Sequence, residues 1–165
     1  MKNNWKKMMV ALFSVVLILS ACGEGDGEKA GSDSKKYKIG VTQIVEHPSL
    51  DAAFDGFKKA LEDAGLDVEY DVQNAQNDMS NNTTIAANLV NSDVDLIFAN
   101  STPSAQAVAG ETKDIPLIFT SVTDAVGAEL IESMESPGAN VTGTIDLHPD
   151  AISNTMKFLK EELGA

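Results

Sequence analysis

Three short polar clusters hold the residues able to do chemistry. They are Gln43-Ile44-Val45-Glu46-His47-Pro48-Ser49, Asn100-Ser101-Thr102-Pro103-Ser104 and Thr120-Ser121-Val122-Thr123-Asp124. Gln43, Ser49, Asn100, Ser101, Thr102, Ser104, Ser121 and Thr123 offer neutral donors and acceptors, His47 a ring nitrogen, and Asp124 a carboxylate. Such a set suits holding a small polar or zwitterionic molecule, with helix N-termini for its carboxylate and an acid for its ammonium. It does not suit breaking bonds. No Ser/His/Asp arrangement or G-x-S-x-G elbow is present, and no P-loop or G-x-G-x-x-G follows a strand. The histidines His47 and His148 lie far apart and no cysteine cluster joins them, so neither a metal site nor any other cofactor is expected. Each polar residue also has a structural alternative. Thr102 and Ser104 can cap a helix, Asp124 can cap the next one, and His47 can stack within its turn. On the residues alone both readings stand.

The elements around these clusters decide where they point. Leu96-Ile97-Phe98-Ala99, within a strand read from Val94, and Leu117-Ile118-Phe119 are short apolar runs of the kind found in buried parallel strands. Both end abruptly in hydroxyl and amide residues. The spacing predicts a helix from there to about Ala109, with Thr102 as N-cap and Pro103 at N1. Upstream, Tyr37–Val41 runs on into Thr42–Val45 as a first strand, and Pro48 opens an amphipathic helix. Its apolar stripe is Leu50, Ala53, Phe54, Phe57, Ala60 and Leu61, and Gly65 ends it. Leu66 to Val72 alternates as a second strand with Leu66, Val68, Tyr70 and Val72 on one face. A second helix buries Ile85, Ala86, Leu89 and Val90 and closes at Asn91-Ser92. Gly127–Met134 reads as a short helix, Val141–Ile145 as a further strand, and about Pro149–Leu163 as a last helix with Ile152, Met156 and Leu159 on one stripe. The alternation βαβαβαβα predicts the α/β class, a doubly wound parallel sheet with helices on both faces. The loops after the first, third and fourth strands then open on one edge, where such sheets bind ligands.

The first residues are read as a processing signal. Lys2, Lys6 and Lys7 precede an apolar run from Met8 to Leu19, and Leu19-Ser20-Ala21-Cys22 ends it on the only cysteine of the 165-residue chain. That is the layout of a signal peptide over residues 1–21, too short for a comfortable membrane span. Its small residues before Cys22 resemble a bacterial lipoprotein processing box, in which Cys22 is lipidated. Residues 22–36 form a Gly/Ser/Asp/Lys tether. Removing the three leader lysines takes the formal charge from −13 to −16, which excludes a nucleic-acid partner.

The stretches KIGVTQIVEHPSLDAAFDGFKKAL, NSTPSAQA, IPLIFTSVTDAVGAELI and SPGANVTGTIDL resemble the substrate-binding lipoproteins of ABC transporters, of the tryptophan/tyrosine-binding type. The resemblance implies a type I periplasmic-binding-protein fold, in which two lobes close over a ligand and dock on a permease driven by an ATPase. It implies that residues 37–145 are the first ligand-binding lobe and 146–165 a hinge and crossing helix, the chain being about half the family's length. It places the HPS turn, Asn100–Ser104, Ser121–Asp124 and Asp146 at the cleft. HPSLD favours an aromatic amino acid, and Cys22 a lipid anchor on the outer face of the bacterial cell membrane. Two other readings are an extracytoplasmic ligand sensor of the same fold and a secreted single-domain α/β enzyme.

Overall fold

The computed structural model describes residues 35–147 and 150–164. The leader, Cys22 and the tether up to residue 34 lie outside the described residues, as do His148 and Pro149. In chain order the described elements are β1 Lys36–Gln43, α1 Pro48–Asp63, β2 Asp67–Asn74, α2 Met79–Val90, β3 Leu96–Asn100, α3 Thr102–Glu111, β4 Leu117–Val122, β5 Val141–Ile145 and α4 Ala151–Glu162. All strand pairs are parallel, in the order β2-β1-β3-β4-β5. The fold is therefore the expected α/β doubly wound sheet. Its switch point falls between β1 and β3, where the chain winds away in opposite directions and a crevice opens beyond the strand ends.

Each face of the sheet carries its own core. On one, Ile39, Val41 and Phe98 are buried beneath α1, with Phe57 stacked on Phe98 at 4.3 Å and Phe54 edge-on to Tyr70 at 5.6 Å. On the other, α2 and α3 cover Ile97, Ala99, Leu117 and Phe119 with Ile85, Ala86, Leu89, Ala105 and Val108. Phe54, Phe57 and Leu61 of the anticipated α1 stripe and the whole α2 stripe are thus packed, Ala60 being exposed, and Gly65 takes a φ of +72° just past α1. Gly143 in β5 has a different reason. A Cβ there would collide with the Phe119 carbonyl oxygen and lie 2.6 Å from its ring, so only glycine lets β5 lie so close to β4.

Several local expectations are corrected. Gly127–Met134 is a series of turns, so β4 reaches β5 without a helix and the alternation does not hold there. One helical hydrogen bond forms, from Ala128 N to Asp124 O, but Leu130 N then returns to Ala125 O and Glu129 adopts a φ of +58°. That left-handed residue ends the turn and lets Leu130 and Ile131 enter the core. The third strand starts at Leu96, two residues late, because Asp95 turns back to take the Lys38 N–H at 2.9 Å. On β2, Val68 and Tyr70 are partly buried, but Val72 is exposed on the outer edge of the sheet. On α4 the apolar stripe is not buried among the described residues, Ile152 being 75% and Met156 61% exposed and Leu159 half-buried.

Candidate functional site

Parallel strands bring every anticipated cluster to the carboxyl edge. Register pairs Gln43 with Asn100 and Asn100 with Thr120, so the ends of β1, β3 and β4 lie side by side. Asp146 joins them, its N–H bonded to the Val122 carbonyl at 3.0 Å. The candidates then divide by burial. Gln43, Asn100, Ser101 and Ser104 are buried, Thr102 and Ser121 half-buried, and His47, Ser49, Thr123, Asp124 and Asp146 exposed.

The buried amides form the floor. Asn100 Nδ2 donates to Gln43 Oε1 at 3.0 Å and to the Leu50 carbonyl at 2.7 Å, while Gln43 Nε2 donates to the Val45 carbonyl at 2.9 Å and to Asp51 Oδ1 at 2.8 Å. These four bonds tie the first turn of α1 and its leading loop to the switch point. The remaining oxygen, Asn100 Oδ1, is buried without a hydrogen-bond partner.

Two helices begin at this edge. At α1, His47 is the N-cap, its Nδ1 accepting from Ser49 N at 3.3 Å and lying 2.7 Å from Ser49 Oγ, with Pro48 following as the sequence suggests. At α3 the N-cap is Ser101, one residue before the expected Thr102, and Pro103 moves to N2. Ser101 Oγ accepts from Ser104 N at 3.3 Å and donates to Ser104 Oγ at 3.1 Å. Its backbone lies at φ 133° and ψ 160°, a region held almost only by glycine, at a strain of about 1–3 kcal/mol. Among the described residues the N–H groups of Leu50 and Thr102 have no hydrogen-bond partner. Both helix N-termini therefore present free donors and the positive end of a dipole toward the crevice.

The third wall comes from β4. Its register with β5 shifts between Phe119 and Val122, where Ser121 adopts a φ of +55°. Such a bulge redirects the chain at the sheet edge. Asp124 follows, with Oδ1 accepting the Gly127 N–H at 2.8 Å. One carboxylate oxygen is thus a turn cap, and the other has no hydrogen-bond partner among the described residues.

One contributor was not foreseen. Asn82 of α2, fully buried, donates to the Pro103 carbonyl at 2.8 Å and accepts from Ser104 Oγ at 3.2 Å. The available signal was an amide three and seven residues before Ile85 and Leu89, on the stripe that packs inward. A concavity of about 290 Å³ at the opposite, amino edge is lined mainly by Tyr37, Ile39, Leu61, Leu66, Val68 and Leu96. It contains the Lys35–Asp95 ion pair at 2.8 Å but no comparable convergence of polar groups.

A five-stranded parallel sheet with its switch-point crevice lined by helix N-termini and hydroxyls defines an open α/β lobe of the kind built around small ligands. The chain belongs to the ABC transporter substrate-binding protein family, whose model matches residues 38–163. Over 168 aligned residues it is 48% identical to the tyrosine-binding protein of Clostridioides difficile, a match covering 94% of this chain and 48% of that one. Among solved structures, an ABC domain from Streptococcus pneumonia in complex with L-Trp superposes with a TM-score of 0.72 at 37% identity, covering 76% of this chain and 43% of the other. A ligand-free, open substrate-binding protein with adhesive properties from Clostridium difficile gives 0.70 at 48% identity, covering 75% and 43%. The chain spans about half the length of the tyrosine-binding protein.

Proposed function

We propose that this lobe captures a small zwitterion, an amino acid with an aromatic one favoured, for import by an ABC permease and its ATPase. The observation that carries the proposal is the pair of free helix N-termini, at Leu50 and Thr102, converging on one crevice with an exposed carboxylate at Asp124. The donors suit a carboxylate and Asp124 suits an ammonium, so the two charges of an amino acid meet opposite partners. Thr102, Ser121, Thr123, His47, Ser49 and Asp146 border that crevice as contacts, while Gln43, Asn100, Ser101 and Ser104 act from beneath. The tyrosine-binding relative and the L-Trp complex support the aromatic choice.

The crevice is one wall of a cleft. About half of the tyrosine-binding relative's length lies outside the matched stretch, enough for an opposing lobe that closes over the ligand. Among the described residues no helix is long and apolar enough to cross a membrane. In this proposal the protein is held at the outer face of the bacterial membrane through lipid on Cys22, the tether letting the acidic body stand off the surface. Calorimetric titration of the full-length protein with tyrosine, tryptophan, phenylalanine and a set of other amino acids and sugars tests the reading. Micromolar or tighter binding of an aromatic amino acid is expected; binding of a sugar and of no amino acid would overturn it.

A further inference from the structure

We propose that Asn82 is a positioning residue for ligand capture, acting through the cap of α3. This rests on the α3 N-terminus being part of the ligand site. Asn82 sits on the inward stripe of α2 with Ile85, Ala86 and Leu89, where an apolar side chain would pack as well and favour the helix more. A fully buried amide at such a place is retained for the hydrogen bonds it makes.

The Pro103 carbonyl can only accept, so Asn82 Nδ2 must face it at 2.8 Å. Oδ1 is thereby turned to Ser104 and takes that hydroxyl's proton at 3.2 Å. With its own proton committed, Ser104 Oγ can only accept from Ser101 Oγ, 3.1 Å away. Ser101 Oγ in turn receives the Ser104 N–H, and the Ser101 carbonyl receives the Ala105 N–H at 3.0 Å. One side chain on α2 thus fixes the rotation of two hydroxyls on a neighbouring helix. It also fixes Ser101 and Pro103, the two residues that flank Thr102. The plane of the Thr102 peptide, whose N–H is free at the crevice, is set by that clamp. The strained backbone of Ser101 makes the clamp necessary, because an unfastened serine at φ 133° relaxes toward ordinary conformations and turns the Thr102 N–H away.

The test compares Asn82→Leu, a near-isostere that keeps the packing, with Ile85→Val on the same buried stripe, in the full-length protein. Two readouts are taken: Kd for L-tyrosine and L-tryptophan, and amide hydrogen exchange without ligand. Asn82→Leu is expected to raise Kd at least tenfold. It should also speed exchange at Ser104 and Ala105 at least tenfold, while the β3 amides of Ile97–Ala99 keep their protection. Ile85→Val should lower Tm with Kd within twofold of wild type. Should Asn82→Leu fail to fold, Asn82→Asp replaces it. That variant keeps the acceptor toward Ser104, loses the donor toward Pro103, and should show the same selective exchange. An unchanged Kd, or exchange that rises evenly across α3 and β3, would overturn the proposal. Failure of the wild type to bind either amino acid would instead overturn the functional reading, and the exchange pattern would still decide the role of Asn82.

Discussion

Ser101 allows a prediction whose sign is unusual. At most positions glycine is less favourable than alanine by about 0.5–1 kcal/mol, because it has more freedom to lose. At φ 133° and ψ 160° the order should invert. Ser101→Ala loses the cap oxygen that accepts from Ser104 N, which costs about 0.5–2 kcal/mol, and escapes the strain only by giving up the native backbone at 101. Ser101→Gly also loses that oxygen, at a few tenths of a kcal/mol at a helix N-cap, and adds about 0.4–1 kcal/mol of unfolded-chain entropy. Against this it releases about 1–3 kcal/mol of strain. The glycine variant should therefore fall between neutral and about 1–2 kcal/mol more stable than wild type, and about 2 kcal/mol above the alanine variant. Urea titrations of the three proteins, compared at constant m-value, measure the difference. Ligand affinity separates the two effects, since both variants lack the hydroxyl and both should bind more weakly than wild type. An alanine variant as stable as the glycine variant would refute stored strain at Ser101.

Other substitutions probe the remaining walls. Gly143→Ala should destabilise by about 1–3 kcal/mol or more, because its methyl group meets the Phe119 backbone and ring; a thermal melt at wild-type Tm would contradict that packing. Asp124→Ala should weaken amino-acid binding by about 1–3 kcal/mol, the cost of losing a charged hydrogen-bond partner, and unchanged affinity would leave Asp124 as a turn cap alone. Asp95 is held below its ordinary carboxylate pKa of 3.8, first by the Lys35 ammonium and then by the Lys38 N–H. Its stabilisation is therefore present above that value and fades as pH falls through the lower folded-state value. Asp95→Asn should lower the urea midpoint near pH 7, with the deficit shrinking as pH falls below the ordinary carboxylate range, and a deficit independent of pH would contradict the linkage.

Much of the frame could be read from the residues because burial and pattern coincide there. Apolar runs such as Leu96–Ala99 and Leu117–Phe119 have few alternatives to buried parallel strands, and Val141–Ile145 matches its strand end to end. The HPS turn was legible because proline fixes the start of α1. What escaped was set by backbone torsion and tertiary contact. Nothing in a serine announces φ 133°, so the cap moved from Thr102 to Ser101. Asp124 looked like the start of a helix and does cap a turn, but Glu129 at a φ of +58° stops it. Ile152 and Met156 carry a helical stripe that stays exposed, and periodicity cannot tell a packed stripe from an exposed one. Asn82 and Asn100 are polar in sequence yet buried in the fold, and only the strand register reveals that Asn100 meets Gln43.

Backbone amide shifts recorded during titration of the full-length protein with L-tyrosine report most directly where the ligand sits. The largest changes are expected at Leu50, Thr102 and Thr123, around the carboxyl edge, with Tyr37, Leu66 and Leu96 at the amino edge unmoved. Shifts concentrated at the amino-edge concavity, with Leu50 and Thr102 silent, would contradict that placement.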